Sequence, residues 1–148
     1  MTNINIRPGT ISDVPAVHQL VVELAIYEKE PDAVTATVKD YLQHFEEGRF
    51  HILIAENESE IIGMALYYPT YSTWKGKMMH LEDFIVTEAY RRHGVGELLF
   101  KAFLTQAKAD GCVLTRWQVL DWNTPAITFY EKIGATIERN WWNGKLYL

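Results

Sequence analysis

The order of hydrophobic and polar positions at the start of the chain predicts one strand followed by two helices. Residues Asn3 to Arg7 alternate polar and apolar side chains, which is typical of a strand with one buried face. Thr10 and Asp13 form a capping-box pattern, which predicts the start of a helix. The apolar residues of that helix recur at helical spacing and are Val14, Val17, Leu20, Val21 and Leu24. A second, shorter helix is predicted around Tyr41 and Phe45.

Three strands are predicted in the middle of the chain. Two apolar runs, Phe50 to Glu56 and Glu60 to Pro69, are separated by the turn residues Asn57-Glu58-Ser59, which indicates an antiparallel hairpin. A third strand is predicted over Lys77 to Val86.

The remainder of the chain predicts a helix, a strand, a second helix and a final strand region. The first of these helices ends at Gly111, and its apolar face is formed by Val95, Leu98, Leu99, Ala102 and Phe103. A strand over Val113 to Leu120 follows, and then a short helix capped by Thr124. The last stretch, Thr136 to Leu148, is predicted to form one or two strands. This order of elements predicts a mixed α/β sheet rather than a regular alternation of strands and helices.

Length, composition and charge favour one domain that binds a small molecule. The chain has 148 residues, 48% of them hydrophobic, which fits a single domain over residues 1–148 with one core. Its net charge of -5 argues against a nucleic-acid binder with a broad basic surface and suits a small cationic ligand better. Cys112 is the only cysteine, so neither an intrachain disulfide nor a cysteine-rich zinc site is expected. Without a signal-like N-terminus or an apolar run near the roughly 20 residues of a membrane span, a cytoplasmic protein with no membrane attachment is expected.

The run Arg91-Arg92-His93-Gly94-Val95-Gly96 lies between a predicted strand and a predicted helix. Its glycines allow a ligand to approach the backbone, and the free N–H groups and dipole of a helix start favour an anion. No Gly-Lys-Ser/Thr follows, and Leu99 stands where a dinucleotide fingerprint has its third glycine, so neither of those motifs is predicted. On spacing alone, a solvated basic turn explains the run as well as an anion site does.

The tripeptide Leu81-Glu82-Asp83 places two carboxylates inside a predicted strand. Because side chains alternate across a strand, Glu82 and Asp83 are expected on opposite faces. Phe84 is then expected beside Glu82, and Ile85 beside Asp83. A carboxylate among apolar neighbours has a raised pKa, in the range useful for a general base. The alternative is an edge strand with a solvated acidic face.

The other candidate side chains are weaker signals. Tyr130 has the helical spacing of a core tyrosine, and only the two signals above give it a possible role as a general acid. The five histidines show no metal-ligand spacing, so no metal site is predicted. The aromatic group either packs in the core or lines a cleft for an alkylammonium chain, and it consists of Tyr67, Tyr68, Tyr71 and Trp74.

These residues, in this order, resemble the GNAT acetyltransferase superfamily and, more narrowly, the diamine (spermidine/spermine) N-acetyltransferase family. The run Arg91 to Gly96 matches the superfamily's acetyl-CoA motif, and Phe129-Tyr130 with Gly134 matches its later motif. The narrower resemblance covers nearly the whole chain and is carried by Glu23-Leu24-Ala25, Tyr27-Glu28, Leu66-Tyr67-Tyr68, Thr70-Tyr71, Trp74, Gly76-Lys77, Leu81-Glu82-Asp83-Phe84, Tyr90-Arg91 and Trp122-Asn123.

The resemblance implies a mixed, mostly antiparallel splayed sheet flanked by helices, acetyl-CoA as the acetyl donor, and a homodimer. It implies that the donor's pyrophosphate is bound by the run that contains Arg91, Arg92, His93, Gly94, Val95 and Gly96, together with the backbone of Phe84, Ile85 and Val86. Asn123 and Tyr130 are implied to lie along the pantetheine arm, where Tyr130 protonates the departing thiolate.

On the acceptor side, the resemblance implies that Glu82 is the base, acting through water, and that Asp83, Glu28 and Trp74 help to bind the amine. The leading hypothesis is an acetyl-CoA-dependent N-acetyltransferase that acts on a small diamine, polyamine or thialysine-like amine. One alternative is acetylation of a protein lysine or N-terminus. The other is a CoA-binding sensor without turnover.

Overall fold

The computed structural model describes residues 3–148, which divide into two compact units. The first unit ends at Gln118, and the second runs Val119–Leu148. The strands of the described chain are β1 (Ile4–Pro8), β2 (His51–Asn57), β3 (Glu60–Ser72), β4 (Gly76–Val86) and β5 (Leu114–Trp117). Its α-helices are α1 (Val14–Tyr27), α2 (Val38–Glu46), α3 (Val95–Ala109) and α4 (Thr124–Lys132), of which only α4 lies in the second unit.

All five strands form one sheet in the order β1-β2-β3-β4-β5. The first three pairings are antiparallel, and β4 pairs with β5 in parallel. The parallel pairing runs from Met78 with Leu114 to Leu81 with Trp117, whereas β4 continues to Val86 paired with β3 alone. The mixed, mostly antiparallel sheet expected from the sequence is therefore confirmed, and its two parallel strands stay together over only part of β4.

Helices cover both faces of this sheet. On one face, Val17 and Val21 of α1 pack with Ile54 of β2 and Leu66 of β3 in a buried cluster, against which α2 also packs. On the other face, the ring of Phe103 in α3 contacts that of Tyr67, with centroids 5.4 Å apart. When helices cover both faces of a sheet, the side chains on both faces of a strand are buried. This explains the near-continuous apolar runs of β2 and β3.

The start of α1 follows the pattern that predicts it. The backbone N–H of Thr10 donates to Asp13 Oδ2 at 2.7 Å, at the 3-10 turn Ile11–Asp13 that leads into the helix. Both Asp13 oxygens also accept from the guanidinium of Arg7, at 2.8 and 2.9 Å. The hydrogen bonds from Arg7 lower the pKa of Asp13 to about 2, so its carboxylate stays charged. This bidentate pair connects β1 to the helix start.

Two expectations from the sequence are wrong in the second unit. The cap of α4 is Asn123 rather than Thr124, because the Asn123 side chain accepts from the backbone N–H of Ala126 at 3.4 Å. No strand forms over Thr136 to Leu148 in the described chain. Trp141 and Trp142 are exposed in this stretch, and a strand without a pairing neighbour leaves its backbone groups unsatisfied.

Across residues 3–148, the helices are too short or too polar for any of them to span a membrane.

We predict that Gly63→Ala destabilises the protein because β3 approaches β4 closely at this residue. An added Cβ would lie 2.9 Å from the carbonyl oxygen of Ile85, a backbone atom that cannot move aside without distorting the sheet. We expect a loss of about 1–3 kcal/mol in the free energy of unfolding, measured by denaturant titration. Gly144→Ala is the matched control, since nothing lies within 4 Å of an added Cβ there. Equal stability of the two variants would contradict the prediction.

Candidate active site

A β-bulge in β4 positions the two carboxylates that the sequence singled out. In the register between β3 and β4, Leu66 pairs with Asp83 and Tyr67 pairs with Leu81, so Glu82 is an extra residue on β4. A bulge bends its strand and shifts the alternation of side chains by one residue. The faces predicted from strict alternation therefore change at Glu82.

Glu82 and Asp83 line the same cavity, so the prediction that they lie on opposite faces is wrong. Phe84 does not accompany Glu82, because its ring packs against Phe100 of α3, with centroids 5.7 Å apart. Ile85 belongs to the cluster on the α1 face, the side on which Asp83 is also found. The alternative of an edge strand is excluded only over Met78–Leu81, where β4 lies between β3 and β5, because beyond Leu81 β4 pairs with β3 alone.

The cavity has a volume of about 730 Å³, within the usual range for small-molecule sites. Its apolar wall comes from α1, α2 and β3 and includes Val21, Tyr41 and Leu66. Two acidic side chains, Glu82 and Asp83, come from the bulge. The cavity thus combines an apolar wall with a pair of neighbouring carboxyl groups, and this combination suits an alkylammonium ligand.

Glu82 is held by two neighbours and stays ionised. The hydroxyl of Tyr68 donates to Glu82 Oε1 at 2.7 Å, and His80 Nε2 lies 3.3 Å from the same oxygen. The hydrogen bond from His80, followed by that from Tyr68, lowers the pKa of Glu82, although partial burial opposes them. Nearly half of the Glu82 side chain is exposed (49%), so the carboxylate faces both the cavity and solvent.

Asp83 behaves in the opposite way. Burial, followed by repulsion from the charges of Glu82 and Glu28, raises its pKa to about 7. The expectation of one carboxyl group with a raised pKa is thus confirmed for Asp83 and not for Glu82. Adjacent carboxyl groups with different pKa values can divide the tasks of holding a cation and exchanging a proton.

The predicted anion site lies between the end of β4 and the start of α3. Gly94 caps α3 with φ 81°, a left-handed conformation that disfavours other residues, and its carbonyl accepts the N–H of Leu98 at 3.1 Å. The first N–H groups of a helix have no partner within it, so those that follow Gly94 are available to an anion. Arg91 fixes this turn, because its Nε donates to the carbonyl oxygen of Val86 at 2.9 Å and its guanidinium lies 5.4 Å from the centre of the Tyr27 ring. These residues fit a phosphate group.

Other predicted residues are placed less directly. Glu28 follows α1 and is half-buried, and its charge acts on Asp83. Trp74 lies in the turn between β3 and β4, 81% exposed and outside the cavity wall. Asn123 and Tyr130 are buried in the second unit, on the cap and the body of α4. Their roles therefore stay predictions from the family motif.

Several cavity residues were missed by sequence reasoning. Tyr41, His44, Glu47 and Arg49 line the cavity. Burial and the charges of the β4 carboxylates raise the pKa of Tyr41 to about 12. Only the helical spacing of Tyr41 could have hinted at its position, and that spacing is equally typical of a core residue.

Comparison with known proteins decides the family. The acetyltransferase (GNAT) family model matches residues 15–135 of this chain. The chain belongs to the GNAT acetyltransferase family. Thialysine N-epsilon-acetyltransferase of Bos taurus is 37% identical over 145 residues, which cover 91% of this chain and 85% of that protein. Spermidine/spermine N(1)-acetyltransferase-like protein 1 of Homo sapiens is 35% identical over 144 residues, which cover 91% of this chain but only 21% of that protein.

The fold is also similar to that of solved acetyltransferase structures. A crystal structure of an aminoglycoside acetyltransferase from an uncultured soil metagenomic sample, in complex with trehalose, matches with a TM-score of 0.81 over 98% of this chain and 96% of that chain. Its sequence is only 18% identical, so this match shows the fold alone.

The GNAT fold, membership of the family and acetyl transfer to amines, all expected from the sequence, are confirmed. Of the described residues, no group of three or more His, Cys, Asp or Glu is arranged to hold a metal ion. The expectation of no metal site stays a prediction.

We predict that the stability of this acetyltransferase falls at high pH because of Asp83. Its pKa is about 7 in the folded protein against an ordinary value of 3.8, so folding favours the protonated carboxyl group. That contribution to stability is complete below about pH 4 and is lost as the pH rises through 7. Asp83→Asn is neutral throughout, so we expect its stability relative to the native protein to rise by roughly 2–4 kcal/mol between pH 4 and pH 8.

The free energy of unfolding is measured by denaturant titration at each pH. Glu58→Gln, at an exposed turn residue, controls for the loss of one negative charge. If the difference in stability between Asp83→Asn and the native protein does not change with pH, burial does not raise the pKa of Asp83.

Proposed function

We propose that this protein is an acetyl-CoA-dependent N-acetyltransferase that acetylates a primary amine of a small diamine, polyamine or thialysine-like substrate by direct attack. The observation that carries the proposal is the carboxyl pair Glu82 and Asp83, which the bulge places together on the wall of a 730 Å³ cavity. Relatives named for thialysine and for spermidine/spermine support this choice of substrates. We further propose one catalytic domain over residues 1–148, a homodimer and a cytoplasmic location.

The donor side of the site is proposed from the family motif and from its fit to a phosphate. Acetyl-CoA supplies the acetyl group as an activated thioester. Arg91, Arg92 and the N–H groups after Gly94 bind its pyrophosphate, because two guanidinium groups and a helix start favour an anion. The backbone of Phe84, Ile85 and Val86, which follows the end of the pairing between β4 and β5, is proposed to contact the pantetheine arm.

The acceptor side must remove a proton from the amine. An alkylammonium group with a pKa near 10.4 is almost fully protonated at neutral pH, and only the free amine attacks a thioester. Glu82 is proposed as the acceptor of this proton, through water. Asp83 is a second candidate, since a pKa of about 7 suits proton exchange at neutral pH better than the lowered pKa of Glu82. Glu28 and Trp74 are proposed to help bind the amine.

The leaving thiolate needs a proton of its own. Tyr130 is proposed as its donor, because the ordinary pKa of a thiol, about 8.5, lies close enough to that of a tyrosine hydroxyl, about 10, to allow the transfer. A backbone N–H near Phe84 or Ile85 is proposed to stabilise the oxyanion. No side chain is needed to carry the acetyl group, since the amine attacks the thioester directly.

We expect the purified protein to release free thiol from acetyl-CoA in the presence of a small cationic amine. The panel contains putrescine, spermidine, spermine, thialysine, lysine and a lysine peptide, and thiol release is followed with a thiol reagent. Tyr130→Phe is the control, in which thiol release is slower while acetyl-CoA still binds. Turnover of the peptide alone would favour a protein acceptor, and acetyl-CoA binding without any turnover would favour a sensor.

We expect Glu82→Gln to lower kcat/KM about 10²–10⁴-fold near pH 7 and to recover part of that loss at higher pH, where free amine is more abundant. Asp83→Asn is the matched variant, because it replaces the neighbouring carboxyl group by an amide in the same way. The pH dependence of kcat/KM is measured for both. If Asp83→Asn gives the larger loss and abolishes an acidic limb near pH 7, the proton acceptor is Asp83 instead.

A further inference from the structure

The cavity wall carries a second group of charged side chains that the proposed reaction does not use. Glu47 and Arg49 line the cavity from the turn between α2 and β2, next to His44 near the end of α2. The wall therefore holds two separate charged groups, an acidic pair at the bulge and a mixed pair beside α2.

The mixed pair is held in one arrangement by hydrogen bonds. Arg49 Nε donates to Glu47 Oε1 at 3.1 Å, and the side-chain amide of Gln43 donates to Glu47 Oε2 at 3.1 Å. The backbone N–H of Arg49 donates to the carbonyl oxygen of His44 at 3.0 Å, which fixes the turn. Across residues 3–148 the guanidinium makes no further hydrogen bond, so its terminal Nη groups are left as donors, and the side chain is 71% exposed.

A cation hydrogen-bonded to a neighbouring anion complements a molecule that carries the opposite charges on one carbon atom. A guanidinium binds a carboxylate through two N–H groups, and a carboxylate binds an ammonium group. The α-carbon of an amino acid carries both of these groups. A polyamine offers only ammonium groups, which Glu47 attracts and Arg49 repels, so this pair discriminates between the two classes of amine.

We propose that Arg49 and Glu47 bind the zwitterionic head of an amino acid whose side-chain amine is the acetyl acceptor. Arg49 binds the α-carboxylate, Glu47 binds the α-ammonium group, and the methylene chain crosses the apolar wall formed by Val21 and Leu66. The side-chain amine then reaches the carboxyl groups of the bulge. The inference rests on the proposed function, and it makes Arg49 the residue that selects an amino acid over a simple diamine.

The test compares L-lysine with cadaverine, which is lysine without its carboxylate. We expect the native protein to acetylate lysine with the higher kcat/KM, and Arg49→Gln to lower the lysine-to-cadaverine ratio of kcat/KM about tenfold or more, mainly through the KM for lysine. Arg49→Lys keeps the charge but loses the two-pronged contact, so an intermediate ratio is expected. Because an exposed ion pair contributes little to folding, both variants are expected to fold.

Lys39→Gln is the matched control, since it removes one exposed cation from the same helix region without touching the cavity wall. A ratio that Arg49→Gln and Lys39→Gln change equally, or a native preference for cadaverine, would overturn the inference. Thiol release with neither lysine nor cadaverine, nor with any other amine of the panel described above, would instead reject the proposed function. Calorimetric titration of L-lysine into the native protein and Arg49→Gln then still decides the inference, because equal affinity of the two would overturn it.

Discussion

The acidic cavity of this acetyltransferase depends on one extra residue in strand β4. In β4, Glu82 has no partner of its own in the pairing with β3, so the strand bends there and its pleat shifts by one residue. The residues before the bulge and after it keep their pairing with β3. The outcome is that two consecutive side chains point toward one cavity, which a regular strand does not allow. The fold accepts an irregular backbone at the position that brings two acidic groups together on the cavity wall.

The environments of these groups then make them different. Glu82 lies at the more exposed side, where Tyr68 and His80 satisfy its carboxylate. Asp83 is more deeply buried, and the negative charges of Glu82 and Glu28 repel a charge on it, so its ionisation is unfavourable. A difference in burial across adjacent residues thus produces one permanent charge and one group able to change its protonation state near neutrality.

The sequence predicts most of the fold because its elements are set by local patterns. The capping-box pattern of Thr10 and Asp13 marks the start of α1, and Gly111 follows α3 as expected for a helix end. The bulge escapes such reasoning, because any residue type can occupy it and only the pairing with β3 reveals it. The strands expected over Thr136 to Leu148 fail for a related reason, since strand formation depends on a neighbour that no local pattern specifies. Arg49 carries no periodic signal at all, so only the folded chain places it on the cavity wall.

The ion pair between Arg7 and Asp13 lies at the end of the edge strand β1. β1 is an edge strand, and its outer backbone groups offer a template to any other extended chain. Pro8 removes one N–H from this strand, and the guanidinium of Arg7 donates to Asp13 and to the Pro8 carbonyl oxygen. A strand of only five residues that ends in this way is a poor template for further pairing. The contact that fastens the first helix thereby also occupies a backbone acceptor of this edge strand.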